Sequence, residues 1–106
     1  MSERRPYALV SIRWLPLPVG NKYPGTSSFG ATGYREGDGP SGLFSVYVKL
    51  LDGSPGPGVK QVARLYALVE AMQARLPNIG TNFYLTAGRT VVAECLTKDR
   101  GEEEVS

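Results

Sequence analysis

The sequence has no histidine and a single cysteine, and both scarcities limit the chemistry open to the chain. Histidine is the usual general base near neutral pH and the commonest ligand of protein-bound metals. One thiol cannot form an internal disulfide, and Cys95 alone leaves too few ligands for a structural zinc site. We therefore expect no metal and no cofactor, and we expect a protein that is not an enzyme.

Long apolar runs are also missing from the chain. No stretch approaches the roughly 18 consecutive apolar residues of a membrane-spanning helix. The first residues, Met1 to Pro6, lack the apolar segment of a secretory signal. Together with the lone cysteine, these absences predict a cytoplasmic protein that has no membrane partner.

Charge divides the sequence into two parts. Residues 1–98 hold 11 Lys or Arg and 6 Asp or Glu, a net charge of +5. The segment from Asp99 holds four acidic residues against Arg100, a net charge of −3. We expect residues 1–98 to form a single domain and residues 99–106 to be a flexible acidic tail.

Several short segments alternate apolar and polar residues with the period of two that is typical of half-buried strands. Turns between short strands agree with the 13 glycines and 8 prolines. The clearest prediction is a hairpin, in which the turn Ala87-Gly88-Arg89 joins two such segments. Gly88 can adopt the positive φ that a tight turn needs. Within β-type segments, Gly30 and Gly33 indicate a bulge or a close approach of backbones. The predicted strands are Tyr7 to Leu15, Thr26 to Arg35, Leu43 to Leu51, Asn82 to Thr86 and Thr90 to Thr97.

The segment from Val59 to Leu76 fits two structures. Its alanines, glutamines and methionine favour a helix, whereas alternating Ala63, Leu65, Ala67 and Val69 favour a strand. We interpret Val62 to Val69 as a strand, followed by a short helical turn near residues 70–76. The fold class is then all-β: a small, closed, antiparallel barrel of about six strands with Greek-key-type connections.

The hairpin also resembles a known family. Gly80, Phe83 and the run Gly88-Arg89-Thr90-Val91 are similar to the last hairpin of the third, C-terminal domain of elongation factor Tu. The resemblance spans approximately Tyr7 to Lys98 and implies a six-stranded antiparallel barrel. Thr86 stands where the family has a glutamate of its transfer-RNA contact surface, and no GxxxxGK[ST] motif is present, so neither transfer-RNA binding nor GTP hydrolysis is implied.

Basic and aromatic residues on the predicted outer faces are the candidate site. They suit either a protein partner or RNA, which is bound through phosphate charges and base stacking. We expect a binding protein that recognises a protein partner, in translation or as an immunity-type protein, with an RNA-binding module and an uncharacterised enzyme as alternatives. Trp14 would join this surface if it were exposed, and Cys95 is expected inside with Val91 and Ala93. The candidate surface residues are Arg13, Lys22, Tyr23, Arg35, Tyr47, Lys49, Arg64, Tyr66 and Arg89.

Overall fold

A computed structural model describes residues 3–17, 20, 22–53, 56 and 58–105. Six strands account for most of them, together with two short 3₁₀ turns at Pro40–Gly42 and Glu70–Arg75. No helix among the described residues is long and apolar enough to cross a membrane. The strands are β1 Glu3–Trp14, β2 Ser28–Arg35, β3 Phe44–Leu50, β4 Lys60–Ala67, β5 Asn82–Ala87 and β6 Thr90–Val105.

The six strands form one closed antiparallel barrel in the order β1-β4-β3-β2-β5-β6. Strands β2, β3 and β4 are a meander, and β1 lies beside β4 although a long connection separates β1 from β2 in the chain. This arrangement is a Greek key. The predicted fold class is confirmed, including a helical turn at residues 70–75.

The barrel interior is filled by the apolar residues of the alternating patterns. Ala8, Val10, Ile12 and Trp14 of β1 are buried, and so are alternate residues of the other strands. The segment that fitted two structures is a strand over Lys60–Ala67, as interpreted. Val69, which the strand pattern placed inside, lies beyond β4 with 53% of its surface exposed, so that part of the prediction is wrong.

Strand β1 begins four residues earlier than predicted and contains Pro6. The main-chain N–H of Trp14 donates to Val59 C=O. Because hydrogen-bonded positions alternate along an antiparallel strand, the even-numbered residues of β1 direct their main-chain groups toward β4. The β1–β4 ladder ends at the pair Ala8–Leu65, so the nitrogen of Pro6 faces an edge where no hydrogen bond is needed. Pro6 therefore fits within the strand and blocks its free edge.

The predicted acidic tail is wrong: residues 99–105 belong to β6 and pair with the start of β1. Glu103 forms an ion pair with Arg64, whose Nη1 lies 2.9 Å from a carboxylate oxygen. Gly101 leaves room for Tyr7, because a Cβ at position 101 would lie 2.6 Å from the Tyr7 hydroxyl. The charged composition of residues 99–105 is typical of a solvated segment and does not reveal these contacts. The last residue of the predicted tail, Ser106, lies outside the described part of the chain.

Barrel closure depends on a close approach between β2 and β5. These strands share only four paired positions, from Thr32–Thr86 to Arg35–Phe83. We call this short β2–β5 ladder the seam. Gly33 lies in it against the ring of Phe83, and a Cβ at position 33 would overlap that ring and lie 2.6 Å from Tyr84 C=O. The glycine thus permits the contact that the sequence pattern indicated for Gly30 and Gly33.

Substituting Gly33→Ala is expected to destabilise the barrel by about 1–3 kcal/mol, because the added methyl must displace a buried ring and a strand carbonyl. The matched control is Gly30→Ala in the same strand, where the nearest side-chain atom to the new Cβ lies 3.9 Å away. The control should change stability by no more than about 0.5 kcal/mol. Urea unfolding of both variants measures the difference, and equal stabilities would contradict the proposed closure.

Candidate functional site

A cleft opens where the ladder between β2 and β5 stops. Strand β5 ends at Ala87, and the last pair toward the start of β2 is Thr32–Thr86. The hydroxyls of these two threonines lie 2.7 Å apart and mark the end of the seam. Beyond them, the first residues of β2 and the tip of the β5–β6 hairpin border a cleft of about 400 Å³.

Three aromatic side chains form the floor of the cleft. Trp14 packs edge-on against Tyr23 with ring centroids 5.7 Å apart, and its ring lies 5.8 Å from that of Phe29. The Tyr23 hydroxyl donates to Leu15 C=O at 2.6 Å, which fixes the loop that follows β1. Such tilted and edge-on ring pairs are the favoured aromatic geometries, so the floor is built before any ligand arrives.

A buried polar contact holds the central ring of this floor. The indole N–H of Trp14 donates to Gln61 Oε1 at 2.7 Å, and both side chains are buried. Gln61 in turn donates from Nε2 to Asp52 C=O at 2.7 Å. The orientation of Trp14 is therefore set by a buried side chain of the neighbouring strand β4, which leaves the indole ring as an apolar surface for the cleft.

The walls of the cleft are mainly small or apolar, with a cation at the rim. Lys22 is exposed and is the one charged residue among the described residues that line the cleft. The polar side-chain groups of the wall are the hydroxyls of Thr32 and Thr86, which bond to each other. The remaining lining residues are Leu17, Pro24, Gly30, Ala31, Leu85, Ala87, Gly88 and Val92.

The structure brings three of the nine sequence-predicted site residues to this region. Lys22 and Tyr23 line the cleft itself. Arg89 lies in the turn of the hairpin and lines a second groove of about 370 Å³, with Tyr34 and Leu43. The two cavities share Thr86 and Gly88, so the hairpin tip separates them. Gly88 has φ +62°, as its place in the turn predicted.

The other basic candidates are dispersed, and two of them are neutralised by carboxylates. Arg35 Nε donates to Asp38 at 2.8 Å, and this hydrogen bond lowers the pKa of the aspartate. Arg64 pairs with Glu103 and stacks over the ring of Tyr7 at 4.7 Å. Lys49 lies opposite Arg64 on the outer face, and Arg13 lies between Lys60 and Glu94.

Two aromatic candidates are not available on the surface. Tyr66 is 1% exposed, between the rings of Tyr7 and Tyr47 and beneath the guanidinium of Arg5. Trp14 is 2% exposed, so the condition under which it would join the surface is not met, and the expectation that Tyr66 presents an open face to a partner is wrong. Tyr66 is covered because β1 continues beyond its last pair with β4, Ala8–Leu65, and brings Arg5 and Tyr7 over it.

Cys95 lies inside the barrel and is fully buried, as predicted. Burial, with a smaller contribution from Glu94, raises the pKa of its thiol far above the ordinary range. Ala93 is buried beside it, whereas Val92 rather than Val91 packs on the core because a bulge interrupts the β5–β6 register. No cluster of three or more possible metal-ligating side chains occurs among the described residues.

Comparison with known proteins gives no match: no family model, no curated protein and no solved structure is similar to the chain. The cleft therefore has to be interpreted from its own geometry.

Sequence reasoning missed most of the residues that build the cleft. Phe29, Thr32 and Thr86 were assigned to strands without a functional role, and Trp14 was considered for a site only on the condition that it was exposed. The available signal was Gly30 in the middle of an otherwise regular strand, because an interior glycine often marks a close backbone approach or an interruption of the ladder.

We expect the Cys95 thiol to resist modification in the folded protein, because only the thiolate reacts and burial disfavours it. Added Ellman's reagent should release less than stoichiometric chromophore over an hour in buffer and one equivalent at once in denaturant. Rapid, complete reaction of the native protein would contradict the buried position.

Proposed function

We propose that the chain is a non-catalytic binding protein that recognises a partner protein, with the aromatic cleft as its docking site. The observation that carries the proposal is the rigid floor of Trp14, Tyr23 and Phe29 beneath an opening at the end of the β2–β5 seam. Binding sites are commonly concave and apolar, with a few polar groups that orient the ligand. Aromatic anchors also contribute much of the energy at protein interfaces.

The composition of the cleft supports binding rather than catalysis. Among the described lining residues, Lys22 and Tyr23 are the ionisable ones, and the Tyr23 hydroxyl is already engaged with Leu15 C=O. The hydroxyls of Thr32 and Thr86 contact each other, with no ionisable base in the described lining to activate them. A nucleophile requires such a base, or a lowered pKa, to react near neutral pH.

Apolar surface continues from the cleft onto the outside of the barrel. Leu68 and Val69 follow β4 and are 50% and 53% exposed. Leu68 lies beside Gly30, since its Cδ1 is the nearest atom to a Cβ built on that glycine. An interface that covers the cleft and this neighbouring pair would combine a buried centre with an apolar margin, the arrangement that a protein partner uses.

The proposed partner class includes the two settings that the sequence suggested, a translation-related assembly or a toxin that an immunity-type protein would block. The support is the residue pattern of the hairpin, which resembles the third domain of elongation factor Tu, together with a barrel of the class that this resemblance implies. Kinship with that domain is itself part of the proposal.

The alternative is an RNA-binding module that uses the outer surface of β3 and β4. Lys49 and Arg64 lie opposite each other there, and Tyr47 lies two residues before Lys49. RNA held in this way should dissociate steeply as salt increases, whereas a mainly apolar protein interface should be far less sensitive.

The proposal is tested by selecting binders from a displayed library of random peptides and measuring their affinity for two matched variants. Ala87→Arg places a long side chain in the mouth of the cleft, whereas Thr90→Arg adds the same charge at its paired position on the hairpin, outside the cleft lining. Both positions are exposed, so both variants should fold. Selected peptides should bind Ala87→Arg at least about tenfold more weakly than the wild type and should bind Thr90→Arg normally.

Three results would count against this function. They are a library that yields no enriched sequence, enriched peptides that bind both variants equally, and short RNA that binds with a steep salt dependence where peptides do not bind. The last result would favour the alternative.

A further inference from the structure

The alternation of hydrogen-bonded positions along β2 shows where its main-chain groups point. Leu50 N–H donates to Ser27 C=O at 2.7 Å, immediately before β2 begins. Hydrogen-bonded positions alternate along an antiparallel ladder, so Phe29 and Ala31 direct their main-chain groups toward β3. Gly30, between them, directs its N–H and C=O to the opposite side, where the cleft lies.

No residue of β5 lies opposite Gly30, because the β2–β5 pairs begin at Thr32–Thr86 and the same register would place Gly88, one residue beyond the end of β5, opposite Gly30. The neighbouring outward carbonyl, that of Ser28, accepts a hydrogen bond from the Thr26 hydroxyl at 2.6 Å. A side chain thus takes the place of a missing strand at Ser28. At Gly30 no partner is found among the described residues, so its N–H and C=O are directed into the cleft.

Two other open strand edges in the described fold carry groups that obstruct pairing, whereas the edge of β2 has none at Gly30. The edge of β1 is blocked by Pro6, which has no N–H. On the edge of β6, the Arg100 N–H is taken by the Asp99 carboxylate at 2.8 Å, and Glu102 and Glu104 are exposed. Natural sheets use proline and charge in this way to prevent unwanted strand addition. Gly30 has neither protection and borders an apolar cavity.

The space around Gly30 suits the approach of another backbone. Gly30 is exposed, and even a Cβ built on it would have only ordinary contacts, with Leu68 Cδ1 at 3.9 Å and Val46 C=O at 4.0 Å. Across the cleft, nothing lies within 4 Å of a Cβ built on Gly88. Two glycines therefore face the opening from its two sides, where side chains would narrow it.

We propose that an extended segment of the partner protein adds to β2 as an extra strand and forms main-chain hydrogen bonds with Gly30. Alternate side chains of a strand point to opposite faces, so one set would enter the cleft over Phe29 and Trp14. The other set would lie outside, next to Leu68. Main-chain bonds supply affinity and the pocket selects the inward side chain, which here is apolar or aromatic.

The charge at the rim of the cleft indicates which residues the partner segment would carry beside its apolar side chain. Lys22 is exposed at the edge of the cleft and has no salt bridge among the described residues. An acidic residue next to the inward apolar side chain would face this ammonium group. The preferred segment is therefore an extended, apolar strand with a flanking carboxylate.

This inference rests on the proposed function, and the peptides selected against the cleft are the probes that test it. Gly30→Pro removes the outward N–H and leaves the bonds that Phe29 and Ala31 make with β3, whereas Gly30→Ala keeps the N–H and is the matched control. We expect Gly30→Pro to bind the peptides about three- to tenfold more weakly than Gly30→Ala does, the effect of losing one hydrogen bond.

A second measurement is independent of whether Gly30→Pro folds. Replacing single amides of a selected peptide by esters removes one N–H at a time, and an added strand should lose affinity only at every second position. In the wild-type complex, the Hα protons of Phe29 and Ala31 should show NOEs to main-chain protons of the peptide, because both point away from β3 toward the cleft.

The outcomes separate the inference from the function on which it rests. Peptides that bind the wild type, fail on Ala87→Arg and show neither the alternating ester effect nor these NOEs would overturn strand addition while leaving a cleft-binding protein. If no selected peptide binds in a way that depends on the cleft, both strand addition and the proposed function fail. A stable dimer in light scattering whose interface protects Gly30 would overturn a foreign partner in favour of a second copy.

Discussion

The close approach of β2 and β5 at Gly33 is the constraint on which the rest of the structure depends. The barrel is closed by a seam of only four pairs, and the ring of Phe83 lies where a side chain at position 33 would be. A larger residue would force the two strands apart at the shortest ladder of the sheet. Closure in turn covers the apolar interior without leaving two long strand edges open.

The same seam determines where a ligand can bind. Because it stops at Thr32 and Thr86, the start of β2 has a sheet partner on one side and a cleft on the other. The Greek-key connection from β1 then brings Tyr23 to the floor of this cleft and Lys22 to its rim, while Gln61 holds Trp14 beside Tyr23. A short seam, a fixed aromatic floor and an unprotected main-chain edge therefore occur at one place as consequences of one topology.

The sequence predicted the fold well because strand alternation and turn glycines are local signals. It placed the buried faces of β1, β3 and β5, the hairpin turn at Gly88 and the short helical turn near residue 70. It failed where the result depended on a neighbouring strand. Pro6 is tolerated because the β1–β4 ladder ends before it, and residues 99–105 pair with β1 and contact Tyr7 and Arg64. The site was predicted least well, since a ladder that stops at Thr32 cannot be seen without knowing which strands pair.

Amide hydrogen exchange along β2 in the free protein tests the central claim most directly. If the seam ends at Thr32 and Gly30 faces an open cleft, then the amides of Phe29, Ala31 and Thr32 should exchange slowly while that of Gly30 exchanges rapidly. Because the four residues are consecutive, general fraying of the strand would not produce this alternation. Protection of Gly30 equal to that of Ala31 would show that its N–H is already bonded within the fold and would contradict the account.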